Sequence, residues 1–236
     1  MNIIKTIIKK LAFTSLCISP LVFGHGDDDP LLTKIMLDQF ELRQDEVRVL
    51  ESELWLGKDL QKFWFKADWE GEAGQSESAE VQALYDMAVT ANWNLQLGLR
   101  HDFALELDRG KNWATVGIRG LAPYFIDVDA ALFIGDGGDT ALRLELEYEL
   151  LLSQRWVLVP ELELNFYGQN DRLRQTGSGL SDSEIGLRLA YHFSRELAPY
   201  LGYNWERLHG NSANFASDAN QDVKQTSWVA GIRWWF

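Results

Sequence analysis

The chain has 236 residues, 46% of them hydrophobic, with ten Trp, seven Tyr and twelve Phe, a formal charge of −13 and a mean hydropathy of −0.20. Beyond the N-terminus no stretch approaches the roughly 20 uncharged apolar residues of a membrane-spanning helix, which excludes a helical bundle in the bilayer. The acidic balance excludes a nucleic-acid surface, which needs excess Lys and Arg. What fits is a soluble acidic domain or a membrane protein whose apolar surface is hidden by alternation.

The first element in chain order is a secretory signal peptide over residues 1–24. Lys5, Lys9 and Lys10 form a positive n-region, Leu11 to Val22 is apolar, and Val22 and Gly24 stand at −3 and −1 of a cleavage before His25. Cys17 is the single cysteine of the chain and lies in this segment, so the mature chain is expected to hold no thiol or disulfide. Loss of three lysines and no acid moves the charge from −13 to −16. Residues 25–35 read as a short acidic periplasmic leader.

From residue 36 to 236 the pattern has a period of two. Leu142, Leu144, Leu146, Tyr148 and Leu150 alternate with Arg143, Glu145, Glu147 and Glu149, and the segment from Trp156 to Phe166 repeats the pattern. Ten further segments read similarly, roughly 36–43, 47–57, 61–70, 80–90, 93–103, 112–121, 124–134, 182–193, 198–208 and 225–236. Most have the length at which a tilted strand crosses a bilayer. Short turns, such as Lys58 to Leu60 and Ala122-Pro123, alternate with longer polar connections, such as Gly168 to Ser181 and His209 to Lys224. That asymmetry is expected of an outer-membrane barrel with both ends of the barrel on the periplasmic side. The last strand ends on Trp234-Trp235-Phe236, a terminal aromatic like the signal read by outer-membrane assembly machinery. The predicted fold is all-β, a transmembrane antiparallel β-barrel of about 12 strands embedded in outer-membrane lipid. Trp93, Trp113, Tyr124, Trp156, Tyr203 and Trp205 would form its interfacial girdles.

Assigning the apolar phase to lipid sends Glu51, Glu53, Asp68, Glu70, Asp127, Asp129, Glu145, Glu147, Glu149, Glu161, Glu163, Glu184 and Glu206 inward. Lys66, Arg100, Arg119, Arg143, Arg188, Arg233, His192 and Asn204 accompany them. Carboxylates are in excess, and an acidic cavity concentrates cations; the same residues also read as a structural Arg–Glu network. His25 with Asp27, Asp28 and Asp29 would sit at the mature N-terminus, where a free amine and an imidazole chelate copper. His192 is a secondary ligand candidate, inward but close to a periplasmic turn. Met36 and Met87 are the methionines left after cleavage, too few for a thioether array.

The run from Asp28 to Glu41 (DDPLLTKIMLDQFE) resembles the start of the copper resistance protein B family. So do Lys62 to Gly71 (KFWFKADWEG), Asn94 to Arg100 (NLQLGLR), and Ala122 to Val128 followed by Gly135-Asp136-Gly137-Gly138. The resemblance covers roughly residues 27–236. It implies an outer-membrane protein that binds copper ions and aids copper tolerance alongside periplasmic copper oxidases. Many relatives carry a long Met- and His-rich leader, reduced here to His25-Gly26-Asp27-Asp28-Asp29.

The expectation is a non-enzymatic barrel that binds copper, as Cu(II), and passes or sequesters it through an acidic lumen. Its candidate ligands are His25, Asp27, Asp28, Asp29, His192, Glu145, Glu147, Glu161 and Glu163. Hard carboxylate oxygens suit Cu(II) better than Cu(I). A generic cation-preferring pore is the alternative. A lipid hydrolase is a weaker one: it needs Ser, His and Asn or Asp together on the lipid-facing rim, and His101 has no Ser nearby in its phase.

Overall fold

A computed structural model describes residues 30–44, 47–71, 78–104 and 110–236. The strands are β1 (Leu32–Arg43), β2 (Arg48–Lys58), β3 (Gln61–Gly71), β4 (Ser78–Ala88), β5 (Trp93–Ala104) and β6 (Lys111–Ala122). They continue with β7 (Ile126–Gly135), β8 (Thr140–Tyr148, resuming at Leu150–Leu151), β9 (Trp156–Tyr167), β10 (Gly179–Tyr191), β11 (Leu197–Leu208) and β12 (Lys224–Trp235). Each pairs antiparallel with its sequence neighbour, and β12 pairs with β1, so the sheet closes on itself. Closure removes the exposed edges that would otherwise be left unpaired in lipid. The terminal aromatic completes the seam: Ile35 N donates to Phe236 O at 2.9 Å and Phe236 N to Ile35 O at 2.8 Å.

Because side chains alternate along a strand, one phase faces out wherever the alternation is unbroken. Leu99, Leu201 and Trp228 are each about two-thirds exposed there (67%, 66% and 65%), within an apolar belt that runs round the barrel. A soluble protein does not tolerate such a surface, whereas lipid covers it. No helix of the described residues is long and apolar enough to cross a membrane; the strands make the crossing.

The observed strands follow the predicted ones closely, with instructive departures. β1 begins at Leu32, ahead of the predicted residue 36, because a bulge at Asp38 breaks the alternation. Leu37 pairs with Ser52 and Gln39 with Glu51, leaving Asp38 as the extra residue. Ile35 and Leu37 face out before the bulge, and Phe40 and Leu42 after it, so no single phase spans the strand. Trp113, predicted to be a girdle residue, is 3% exposed and turned inward, where its indole Nε1 donates to Asp102 at 2.8 Å. It packs with Phe133 and Ala141 in a small apolar cluster on the wall.

The turn side is short throughout: Asp59–Leu60, 89–92, Pro123–Phe125, 152–155 and 192–196. Tyr124 and Phe125 at one tip hold φ of 68° and 63°, a left-handed conformation that non-glycine residues adopt at a cost. The loop side carries the long connections, including 168–178 and the helix α1 (Gly210–Asp218), although 44–47 and 136–139 are also brief. The signal-peptide residues and the leader as far as Asp29 lie outside the described residues.

Candidate functional site

The inward phase encloses a cavity of about 1380 Å³. Every charged side chain that the alternation sends inward lines it. Eighteen Asp and Glu face eleven Lys and Arg, from Arg174 at the loop end to Arg195 and Glu196 at the turn end. Charges in so narrow a space must be paired or hydrated.

Most of the cations are held at the wall. Glu41, with no exposed surface, accepts from Arg188 Nε at 2.5 Å and from the Tyr200 hydroxyl at 3.1 Å. Arg188 also pairs with Glu161. Arg43 meets Glu184 at 2.9 Å and Glu41 at 3.6 Å. Lys66 meets Asp129 at 2.9 Å and Glu53 at 3.4 Å, and Arg119 shares Glu53 at 3.2 Å. Arg100 and Arg143 share Glu80 at 2.6 and 2.9 Å, and Arg233 meets Glu147 at 3.1 Å. Aromatic faces back three of them: Arg119 lies 4.7 Å over Trp64, and Arg100 and Arg143 lie 4.5 and 5.8 Å over Phe133. Glycine makes room for the flattest of these side chains, since a Cβ at Gly231 would lie 2.4 Å from Tyr200 Cζ.

Among the described residues six lumen carboxylates have no such partner: Asp38, Asp127 and four in the loop-side half. Glu51 and Asp68 stand directly opposite on β2 and β3, Glu70 follows on β3, and Glu206 on β11 faces Glu184. Among the described residues, Glu51, Asp68, Glu70 and Glu206 make no ion pair or side-chain hydrogen bond. They lie in the loop-side half of the lumen and leave it with uncompensated negative charge.

The predicted ligands divide differently. His25, Asp27, Asp28 and Asp29 fall outside the described residues. His192 lines the cavity at its turn end, and its backbone N donates to Arg155 O at 2.8 Å. Glu145, Glu147, Glu161 and Glu163 are brought together: Glu161 faces Glu147 and Glu163 faces Glu145 across β9 and β8. Each leans on an arginine. Glu145 and Glu163 lie 3.9 and 3.6 Å from Arg143, while Glu147 and Glu161 lie 3.1 and 3.7 Å from Arg233. Among the described residues, no three His, Cys, Asp or Glu side chains are placed to hold one metal ion together. Sequence reasoning missed Glu41 and Arg43, hidden by the β1 bulge. Glu51, Asp68, Glu70 and Glu206 were placed inward but not singled out, because alternation does not say which carboxylate an arginine reaches.

On the outer face His101 Nδ1 lies 2.6 Å from Asn112 Oδ1. A Ser–His contact occurs elsewhere on the loop-side rim, between Ser183 Oγ and His209 Nε2 at 2.8 Å. Among the described residues no Asp or Asn side chain reaches the other ring nitrogen of His209, so the pair lacks the orienting group of a hydrolytic triad.

The barrel is similar to the NanC porin, with a TM-score of 0.56 at 12% identity, covering 86% of this chain and 99% of that one, a likeness of fold. The chain is 44% identical over 182 residues to the copper resistance protein B homolog of Pseudomonas syringae pv. tomato, covering 77% of this chain and 61% of that protein. It therefore spans about three-fifths of that relative's length. To the copper resistance protein B of Escherichia coli it is 39% identical over 217 residues, 90% of this chain and 73% of that protein. The family described as copper resistance protein B precursor (CopB) matches residues 31–236. With an apolar belt outside and this match along the whole barrel, the chain belongs to the copper resistance protein B family of outer-membrane β-barrels.

Proposed function

We propose that the barrel binds Cu(II) and passes it through its lumen, without covalent catalysis. The observation that carries this reading is the set of unbraced carboxylates, Glu51, Asp68, Glu70 and Glu206, in a cavity where Asp and Glu outnumber Lys and Arg and most of the cations are paired at the wall. Such a field raises the local concentration of cations without holding them in a closed cage. Spread over a bilayer core of roughly 30 Å, the cavity averages roughly 45 Å² in section, room for a hydrated ion. Glu145, Glu147, Glu161 and Glu163 add to the field while bracing the wall. His192, at the turn end, and His25 with Asp27, Asp28 and Asp29 supply the imidazole and carboxylate donors that suit the oxidised ion. A periplasmic copper oxidase would receive copper at the turn side.

The test is copper survival of a deletion strain complemented with wild type, His25→Ala, His192→Ala, or Glu51→Gln with Asp68→Asn. Rescue by wild type and failure of the lumen variant supports the reading; full rescue by every variant overturns it. A pore that prefers cations without favouring copper would pass sodium and copper alike in bilayer recordings.

A further inference from the structure

The connection between β9 and β10, residues 168–178, is built as a small fixed hairpin. Asp171 N donates to Thr176 O at 2.8 Å, and Thr176 N returns the bond to Asp171 O at 3.0 Å. Asp171 Oδ1 accepts from the amides of Leu173 at 3.0 Å and Arg174 at 3.3 Å, and Gln175 closes the turn at a φ of 56°. The helix α1 straps the base. Ser212 Oγ, 1% exposed, accepts from Gly177 N and meets Ser181 Oγ, both at 2.7 Å. Asn170 Oδ1 accepts from Asn211 Nδ2 at 3.0 Å and from Ser178 N at 2.8 Å. The Arg172 guanidinium lies 5.2 Å over the Phe215 ring.

Ordering each loop residue costs about 1–2 kcal/mol. A loop that only bridged two strands would have no use for bonds that offset this cost. The tip explains the investment: Leu173, Arg174, Gln175 and Thr176 line the lumen cavity, joined there by Gln221 from the β11–β12 connection. Asp171 lies 3.6 Å from Arg174 Nε, so the tip does not present an uncompensated positive charge to an entering cation.

We infer that this infolded hairpin, held by α1, is the size-selecting constriction of the pore: it admits single hydrated metal ions and excludes solutes of oligosaccharide size. Because Ser212 and Gly177 are buried against each other, the constriction is a standing filter and does not open and close. The identity of copper as cargo rests on the function proposed above; the size limit does not.

The test uses the full barrel in planar bilayers and liposomes, with folding checked by heat-modifiable migration. Gln175→Cys, treated with a charged methanethiosulfonate, is expected to lose at least two-thirds of its potassium conductance, while Ser217→Cys on the exposed side of α1 keeps its own. A variant with residues 171–176 replaced by two glycines should conduct severalfold more and admit raffinose, which wild type excludes. Unchanged conductance after modification at position 175, or unchanged raffinose exclusion in the shortened variant, overturns the inference. So does a wild type that passes no ions while the shortened variant conducts, since the loop would then be a plug. If the size limit holds but copper passes no better than sodium, the copper reading fails and the constriction stands.

Discussion

Glu41 on β1 accepts a 2.5 Å hydrogen bond from Arg188 on β10, across the two strands β12 and β11 and 147 positions apart in the chain. The bond spans the seam where the first and last strands meet. Removing one partner of a buried pair leaves a charge uncompensated, at a cost of about 3–5 kcal/mol, lessened here because Arg188 keeps Glu161. Glu41→Ala should therefore lower the urea midpoint of unfolding, read as loss of the fast-migrating folded band. A cycle with Arg188→Ala should give a coupling of about 1–3 kcal/mol. Additive effects of the two substitutions would mean that the bond does not bear on closure.

The same corner depends on a missing side chain. Tyr200 lies flat over Gly231, and a methyl group there would meet the ring at 2.4 Å. Gly231→Ala is expected to destabilise the barrel by about 1–3 kcal/mol through overpacking. In a Tyr200→Ala background the penalty should largely vanish. A penalty that persists in that background would place its cause in the backbone.

The lumen carboxylates fall into two classes with opposite expected behaviour. Glu51→Gln with Asp68→Asn removes negative charge from groups that brace nothing, so the barrel should fold normally while its reversal potential in a salt gradient moves toward zero. Neutralising Glu145, Glu147, Glu161 and Glu163 together strips carboxylates from Arg143, Arg233 and Arg188. That variant should turn toward anion selectivity and lose thermal stability. If the two sets shifted selectivity equally with no difference in stability, the division into braced and unbraced groups would be wrong.

Alternation was enough to place the strands and the inward phase, because a barrel wall is a purely local code: each residue faces either lipid or lumen. Leu142 to Leu150 shows it at its clearest. The code fails where geometry departs from period two. The extra residue at Asp38 puts Met36 and Phe40 on opposite faces despite their even spacing, which concealed Glu41 and Arg43. Trp113 misled for another reason: an aromatic near a strand end suits either a lipid interface or a buried partner, and Asp102 decides it from a neighbouring strand. Which of the many inward acids lacks a cation depends on contacts across the lumen, far apart in sequence, as with Lys66 and Asp129.

At the loop-side rim, Lys111 and Asp139 form an ion pair that secures the turn after β7, where Gly135 N donates to Asp139 O at 2.7 Å. The hydrogen bond from Lys111 holds the Asp139 carboxyl below its ordinary 3.8, with a further contribution from the Gln169 side chain. The folded state thus favours the ionised form. The stabilisation is full above the ordinary carboxylate range and is lost as pH falls through the lowered folded value. The pair is partly exposed and screened, so the effect amounts to about 0.2–1 kcal/mol. Protection factors of the Gly138 and Thr140 amides, taken relative to the intrinsic exchange rate at each pH, should fall on acidification in wild type and be lower at neutral pH, with little further change on acidification, in Asp139→Asn. A carboxyl resonance of Asp139 that titrates at or above the ordinary value would show that the pair does not form in the membrane-embedded protein.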